Sequence, residues 1–333
     1  MNHDSIRNKI DSILPHKPIK LISGVDRYGF TNVLAERIGL LYKRRSFADW
    51  LHGWIWWKAN TSTELHFDIN NKKGRYVVSN QHEKQILISE GFLNVWVGGL
   101  PFAYTAPSKF EKQENSLLAM PPHSAESEKI NRTYFDYLDY LESLKNYYSS
   151  IYVSIFYLDR QSKLVSEIER RGLMYIDGAR PDDANSLQRM RAIFDSFEYV
   201  TSNTMGSHIP YALYCGCKTS LCGPMFSYDE TMFYRKNHKI QHNKNYIQDI
   251  IYYHSTGYLQ KNFNFLFTFT PKDGYISEYY GKKEIGYYNI LGNNEIMKIL
   301  KWDFPNQITG YSSGGIRRLK RTTKLLQNKF QSK

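Results

Sequence analysis

The sequence predicts an α/β protein with two Rossmann-like lobes, a C-terminal helix and a basic tail. Strand-like and helix-like segments alternate along most of the chain, which favours parallel sheets covered by helices on both faces. The chain has 333 residues, more than a single hydrophobic core usually supports, and its length therefore predicts two domains. With 41% hydrophobic and 23% charged residues, the composition is that of a globular chain rather than a disordered one.

The first lobe is expected over residues 1–140. A short strand over 20–24 leads through a turn into a helix over 30–43. The apolar run DWLHGWIWW then predicts a buried strand over 49–57. The rest of this lobe repeats the alternation, with strands over 75–79, 94–97 and 116–120 and helices over 83–90 and 131–147.

The second lobe is expected over residues 147–290, where the alternation is plainer. Its strands are predicted over 150–158, 173–176, 198–201 and 218–221, and its helices over 162–171, 183–197, 209–215 and 229–259. Residues 291–311 are expected to hold the C-terminal helix, and residues 312–333 form the tail. One wide sheet with an appended helical region is the alternative that the pattern leaves open.

The positive charge is concentrated in the tail. Residues 312–333 carry seven bases and no acid, so the preceding 311 residues hold only +5 of the net charge of +12. On a helix, Ile316, Leu319, Leu326 and Phe330 form an apolar stripe among these bases, which is typical of a helix lying on an anionic membrane surface. A solvated tail is the alternative. Nucleic acid is not an expected partner, because the basic excess does not extend over the folded body.

Several classes of protein and site are excluded by the sequence. No apolar run reaches the ~18 residues of a membrane span, and the N-terminus has no apolar core of the secretory kind. Cys215, Cys217 and Cys222 form an odd, clustered set, which favours a reducing cytoplasm and lacks a fourth ligand for zinc. No phosphate-binding P-loop or Asp-x-Asp triplet is present, so neither a metal nor a cofactor is expected.

Two loops of the second lobe carry candidate ligand-binding residues. The loop over 202–208 is predicted to follow a strand and open a helix, where free backbone N–H groups favour phosphate. The candidate residues of this loop for binding the phosphate of a ligand are Ser202, Asn203, Thr204, Gly206, Ser207 and His208. Upstream, Arg180 suits bidentate binding of an anion, and Asp182 is a helix cap or a second polar contact. Ordinary helix capping is the alternative for both loops.

The first lobe holds two candidate bases. His123 follows a predicted strand after two prolines, and Asp26 lies in the first predicted strand-to-helix turn. Either side chain is able to take a proton from a hydroxyl group. For each of them, a cap, turn or surface role is the alternative.

The run from Gly178 to Gly223, with GARPDD and VTSNTMGSHIPYALYCGCKTSL, resembles the C-terminal lobe of bacterial glycosyltransferases of capsule and lipopolysaccharide assembly. The segments GLPFAY and MPPHS resemble parts of their N-terminal lobe. The resemblance implies the two-lobed architecture called GT-B, with a nucleotide-sugar donor in the second lobe and an acceptor in the first. Some such enzymes use CMP-activated acidic sugars of the Kdo or sialic kind, but the sialyltransferase His-Pro pair has no clear copy here.

The sequence therefore predicts a metal-independent, GT-B-like glycosyltransferase. Its expected partners are a CMP- or UDP-type sugar donor, a glycan or glycolipid acceptor and, through residues 312–333, an anionic membrane. Its expected location is the cytoplasm, at the inner face of the cytoplasmic membrane. A non-catalytic module that binds anions or polysaccharide on the same scaffold is the alternative.

Overall fold

The computed structural model describes residues 5–41, 44–68, 70–122, 132–161, 163–230, 244–303 and 305–307. The strands in these residues are β1 (Asp49–Trp50), β2 (Arg75–Val78), β3 (Asn94–Val97), β4 (Gln113–Ala119), β5 (Ser150–Ile155), β6 (Met174–Asp177), β7 (Phe197–Ser202) and β8 (Lys218–Leu221). The helices are α1 (Ser5–Ile13), α2 (Phe30–Ile38), α3 (Gln81–Ser89), α4 (Arg132–Ser143), α5 (Lys163–Arg170), α6 (Ser186–Ser196), α7 (His208–Tyr214), α8 (Lys244–His254), α9 (Thr256–Phe263), α10 (Glu278–Glu284) and α11 (Asn293–Leu300).

The larger sheet has five parallel strands in the order β6-β5-β4-β7-β8. The chain starts at β4, moves outward to β6, and then returns to the other side of β4 for β7 and β8. This is doubly wound topology, in which ligands bind outside the carboxyl ends of the strands where the order reverses. At that switch point the Met120 N–H donates to the Thr201 carbonyl across 2.8 Å, so the ends of β4 and β7 are held together.

The smaller sheet has three parallel strands in the order β1-β2-β3. The prediction of a strand over 49–57 is wrong beyond its first two residues. The indole N–H of Trp54 donates to Glu284 at 3.0 Å, and that of Trp56 donates to the Tyr253 carbonyl at 3.1 Å. An indole N–H that is shielded from water needs a partner, and here both partners lie on elements outside the sheet.

The N-terminal elements are also shorter than predicted. Residues 20–24 form no strand, and a 3₁₀ turn, Gly24–Gly29, leads directly into α2. Helix α2 ends at Ile38 because Gly39 takes a left-handed conformation with φ of 77°. The Gly39 N–H then bonds back to the carbonyls of Ala35 and Glu36, which is the usual glycine ending of a helix.

One hydrophobic core connects the two sheets. It includes Trp50 and Val77 of the smaller sheet and Leu118, Tyr152 and Val200 of the larger one, all at most 1% exposed. A second cluster packs α4 and α5 against the larger sheet and contains Tyr137, Leu138, Val153, Leu164 and Ile168. Helices thus cover both faces of the larger sheet, and the prediction of an α/β fold built on parallel strands is confirmed.

The strand β4 belongs to the larger sheet, where it pairs with β5 and β7. Its residues lie within the range 1–140 that the sequence predicts for the first lobe. The change from one sheet to the other therefore falls between residues 97 and 113, whereas the domain limits near 140, 147, 290 and 311 stay predictions.

Candidate functional site

The loop over 202–208 follows β7 and leads into α7 at the switch point. Its first side chains are turned inward: Ser202 and Asn203 are 0% exposed and Thr204 is 5% exposed. The Ser202 hydroxyl lies 2.6 Å from the Met120 carbonyl and accepts the Thr204 N–H at 3.2 Å. The Asn203 amide donates to the Pro224 carbonyl at 3.0 Å. These buried groups determine the shape of the loop.

The second half of the loop is accessible to solvent and contacts the segment that follows β1 of the smaller sheet. Its half-buried residues are Gly206, Ser207 and His208. The Ser207 hydroxyl accepts the backbone N–H of Trp54 at 2.8 Å. One turn later, the Tyr211 hydroxyl donates to the His52 carbonyl at 3.1 Å. The loop at the switch point is therefore bonded directly to the segment that follows β1.

A cavity of about 870 Å³ opens along that segment, at the carboxyl end of β1. Its walls come from residues 21–28, 49–57 and 65–68 and from α8. The aromatic part of its lining consists of Tyr28, Trp50, Trp54, Trp56, Trp57, Phe67 and Tyr246. The ionisable part consists of Arg27, Asp49, His52, His66, Asp68 and His254, together with the hydroxyls of Tyr28 and Tyr246. A large aromatic cavity with a few converging polar groups is typical of a small-molecule site.

The Asp49 carboxylate is held at the cavity wall by one backbone group. Its Oδ1 accepts the Gly24 N–H at 3.0 Å. A Cβ on Gly24 would lie 2.3 Å from that oxygen, so the contact requires glycine at this position. Burial raises the pKa of Asp49, while the Gly24 hydrogen bond and the charge of Arg27 act against the rise. Within the described chain, no cation lies within 4.0 Å of this carboxylate.

Two histidines of the cavity are held in their neutral form. Burial, with a smaller effect of the Arg27 charge, lowers the pKa of His52 to about 4. Neither His52 ring nitrogen makes a hydrogen bond of good geometry to the described residues, although the nearby Gly24 backbone favours the charged ring slightly. Burial also lowers the pKa of His254 to about 4, and its ring lies 4.6 Å from that of Trp56. Both rings are therefore uncharged at neutral pH.

Asp26, predicted as a base, is 2% exposed and faces its own turn. Its Oδ2 accepts the N–H groups of Ile22 and Ser23 at 2.9 and 2.8 Å, and its Oδ1 accepts the Thr31 hydroxyl at 2.9 Å. A carboxylate saturated in this way stabilises the Gly24–Gly29 turn. The neighbouring Arg27, in contrast, is exposed and lines the cavity.

Arg180 and Asp182 lie after β6, which is three strand positions from β7 in the larger sheet. They bond to each other, with Arg180 Nε 2.7 Å from Asp182 Oδ1, and the guanidinium lies 4.3 Å from the centre of the Tyr157 ring. Arg180 lines a second cavity of about 310 Å³, together with Arg160, Arg189, Asp11, Asp177 and Asp183. The structure therefore does not bring Arg180 and Asp182 together with the loop over 202–208.

Some predicted features lie outside the described residues: His123 and the tail over 312–333. Among the residues that are described, no helix is long and apolar enough to cross a membrane. The same residues contain no cluster of three or more His, Cys, Asp or Glu side chains suited to a metal ion. The three cysteines are free and buried.

The run DWLHGWIWW is typical of a buried strand, so its composition alone does not reveal the cavity. The available signal was the placement of Asp49 and His52 inside an otherwise apolar, tryptophan-rich run. A strand buried on both faces would leave these polar groups without partners, which is costly. Asp49 avoids this cost, because it lines the cavity and accepts the Gly24 N–H.

No family model matches this chain, and no curated protein matches it in sequence. Among solved structures, the crystal structure of TarM aligns with 82% of this chain and 52% of its own, at 12% identity and a TM-score of 0.34. The chain thus spans about half the length of TarM. A TM-score of this size carries no argument about the function of this chain.

Proposed function

We propose that this protein is a glycosyltransferase that moves a sugar from a nucleotide-sugar donor to a glycan or glycolipid acceptor of a bacterial surface polysaccharide or lipopolysaccharide. One observation carries the proposal: the 2.8 Å hydrogen bond from Trp54 to Ser207 joins the switch-point loop to the wall of a large aromatic cavity. A donor held by the loop and an acceptor in the cavity would therefore be neighbours. The resemblance of residues 178–223 to the donor lobe of such enzymes supports the same assignment.

The donor is assigned to the switch-point side. The crevice outside β4 and β7 is where doubly wound sheets bind nucleotides. Gly206, Ser207 and His208 are the accessible groups there, and the buried Oδ1 of Asn203 has no hydrogen-bond partner among the described residues. The structure turns Ser202 and Thr204 inward, so we assign them to the shape of the loop rather than to direct contact.

The acceptor is assigned to the cavity. A pyranose has apolar C–H faces and hydroxyl edges. The indole rings of Trp54, Trp56 and Trp57 offer flat apolar surfaces, while Arg27 and Asp49 offer polar contacts for hydroxyls. The volume of about 870 Å³ suits a ligand of more than one sugar ring.

The test is a thermal-shift screen with cytidine, uridine, guanosine and thymidine nucleotides, followed by turnover of the matching nucleotide sugars. A nucleotide at ~100 times its dissociation constant stabilises the folded state by about 2.7 kcal/mol. Ser207→Ala should reduce this stabilisation, whereas Ser166→Ala, an exposed serine on α5, should not. Binding without turnover on any glycan would favour the non-catalytic module, and the absence of any nucleotide binding would refute the proposal.

We also propose that Arg180 and Asp182 contact the nucleotide-sugar donor, provided that the bond between these two side chains opens. The guanidinium is already bonded to Asp182 by two nitrogens, at 2.7 and 3.2 Å, so a donor phosphate has to displace the carboxylate. Arg180→Ala should therefore weaken nucleotide binding, Arg180→Lys should not restore it, and Asp182→Asn should strengthen it. Unchanged affinity in all three variants would show that the donor does not reach this loop.

The membrane contact through residues 312–333, metal independence and the location at the inner membrane face belong to the same proposal. A lipid-linked acceptor would be held at an anionic surface by the seven bases of the tail, each of which contributes roughly 1 kcal/mol near such lipid. Vesicle co-sedimentation of the full chain tests the contact. Turnover in excess chelator tests metal independence.

A further inference from the structure

Asp49 is one of two carboxylates among the described residues that line the cavity, and its surroundings separate it from the other acidic side chains near the site. Asp26 is buried with its oxygens bonded inside its own turn. Asp68 is exposed at the rim of the cavity. Asp49 is half-buried, one of its oxygens is bonded to Gly24, and no cation pairs with it in the described chain.

The position of Asp49 follows from the backbone rather than from flexible side chains. It lies on β1, and the absence of a side chain at Gly24 lets the turn approach its Oδ1 to 3.0 Å. Two residues after the strand, His52 presents a neutral ring whose nitrogens are shielded from solvent. The Ser207–Trp54 bond places the proposed donor loop against the same segment.

We propose that Asp49 is the catalytic base of this protein. This inference rests on the proposed function. In the step, the acceptor hydroxyl oxygen forms a bond to the anomeric carbon of the donor sugar. The bond from that carbon to the phosphate oxygen breaks, and its electron pair leaves on the nucleotide. The hydroxyl proton moves to the Asp49 carboxylate. This is a single displacement, so the anomeric configuration of the sugar is inverted.

The electrostatics of the site support this role. Burial makes the Asp49 carboxylate more basic than one in water, which brings its proton affinity closer to what transfer near neutral pH requires. Arg27 lies close enough to act on Asp49 by its charge, which favours the ionised form and limits the rise in pKa. The neutral ring of His52 adds no competing positive charge.

The experiment compares Asp49→Asn with wild type in turnover of whichever sugar nucleotide the screen identifies. Asparagine keeps an oxygen for the Gly24 N–H but cannot take the proton. We expect kcat to fall by about 10²–10⁴-fold, with nucleotide affinity within about twofold. Asp136→Asn, an exposed carboxylate on α4, is the matched control and should retain wild-type kcat. Thermal melting of each variant reports whether it is folded.

The pH profile adds a readout that a structural role does not produce. A base must be ionised, so wild-type kcat should fall as the pH drops through the pKa of Asp49, and Asp49→Asn should lose this acidic limb. Asp26→Asn should reduce stability and keep the limb. If His123→Ala removes the limb while Asp49→Asn keeps it, or if the product retains the donor configuration, the assignment to Asp49 is wrong.

The two proposals fail in different ways. Wild-type transfer with a fully active, folded Asp49→Asn variant overturns the base assignment and leaves the glycosyltransferase proposal standing. Nucleotide binding without any transfer by wild type overturns both.

Discussion

Lowering the pH from 7.5 to 5.5 should destabilise this protein through His52 and His254. In each case burial lowers the ring pKa from 6.5 to about 4 in the folded state. The unfolded chain therefore binds more protons than the folded one between about pH 6.5 and pH 4. The free energy of unfolding consequently rises with pH across this window and is lost as the pH falls through it.

The size of the effect follows from the two pKa values. At pH 5.5, one unit below the unfolded value, each ring lowers the free energy of unfolding by about 1 kcal/mol relative to pH 7.5, and the two rings together lower it by about 2–3 kcal/mol. With a denaturant slope of about 2–3 kcal/mol per molar urea, the unfolding midpoint should drop by about 1 M.

The assay is urea unfolding followed by tryptophan fluorescence at both pH values. His52→Gln and His254→Gln should each remove a large and similar share of the drop, because glutamine does not titrate. His66, whose pKa is also lowered by burial, contributes in the same direction in every variant. His16→Gln, at an exposed position, is the control and should behave as wild type. Asp49 and Glu83, whose pKa values are raised by burial, act in the opposite direction, and they do so in every variant. Equal midpoints at the two pH values, or a full drop in the double variant, would refute the reasoning.

Three further outcomes are expected. Ser207→Ala removes the acceptor of the Trp54 N–H. It should lower the free energy of unfolding by about 1 kcal/mol, measured by urea unfolding, and it should lower kcat/KM, measured by initial rates. Gly24→Ala should displace Asp49 and reduce turnover at least tenfold, whereas Gly257→Ala, where no atom lies within 4 Å of the added carbon, should not; initial rates compare them. Deleting residues 312–333 should release the protein from anionic vesicles and leave turnover of a water-soluble acceptor near normal. Vesicle binding by the full chain should weaken as the salt concentration rises, because exposed charges are screened over ~8 Å at physiological ionic strength. If the truncated and full chains sediment equally with vesicles, the tail does not bind the membrane.

Local sequence signals were sufficient for the elements of the larger sheet. The strand over 218–221 has the predicted bounds, and β6 and β7 differ from prediction by one residue at each end. In these segments the hydrophobic residues recur with a clear period, and residues that end an element follow directly. Examples are Gly172 and Gly216, which both take left-handed φ values. Where the hydrophobic periodicity and the terminating glycines indicate the same bounds, the local sequence determines the helix or strand.

The signal was ambiguous where the chain is rich in tryptophan. DWLHGWIWW has the composition of a buried strand, yet only two of its residues pair in the sheet. The remaining residues line the cavity, and their indole and backbone N–H groups find partners on the loop over 202–208, on α10 and on α8. These partners are more than 150 residues away in sequence, so no local pattern reveals them.

The sequence by itself determined the α/β class, the parallel strand pattern and the polar loop over 202–208, because each depends on periodicity and on residues close together in the chain. Only the tertiary structure decided which sheet β4 joins, which carboxylate faces the cavity and which faces its own turn. Asp26 and Asp49 are the same residue type and lie 23 residues apart in the sequence. They differ because one is enclosed by four neighbouring donors of its own turn, and the other is brought to a cavity by the packing of distant segments.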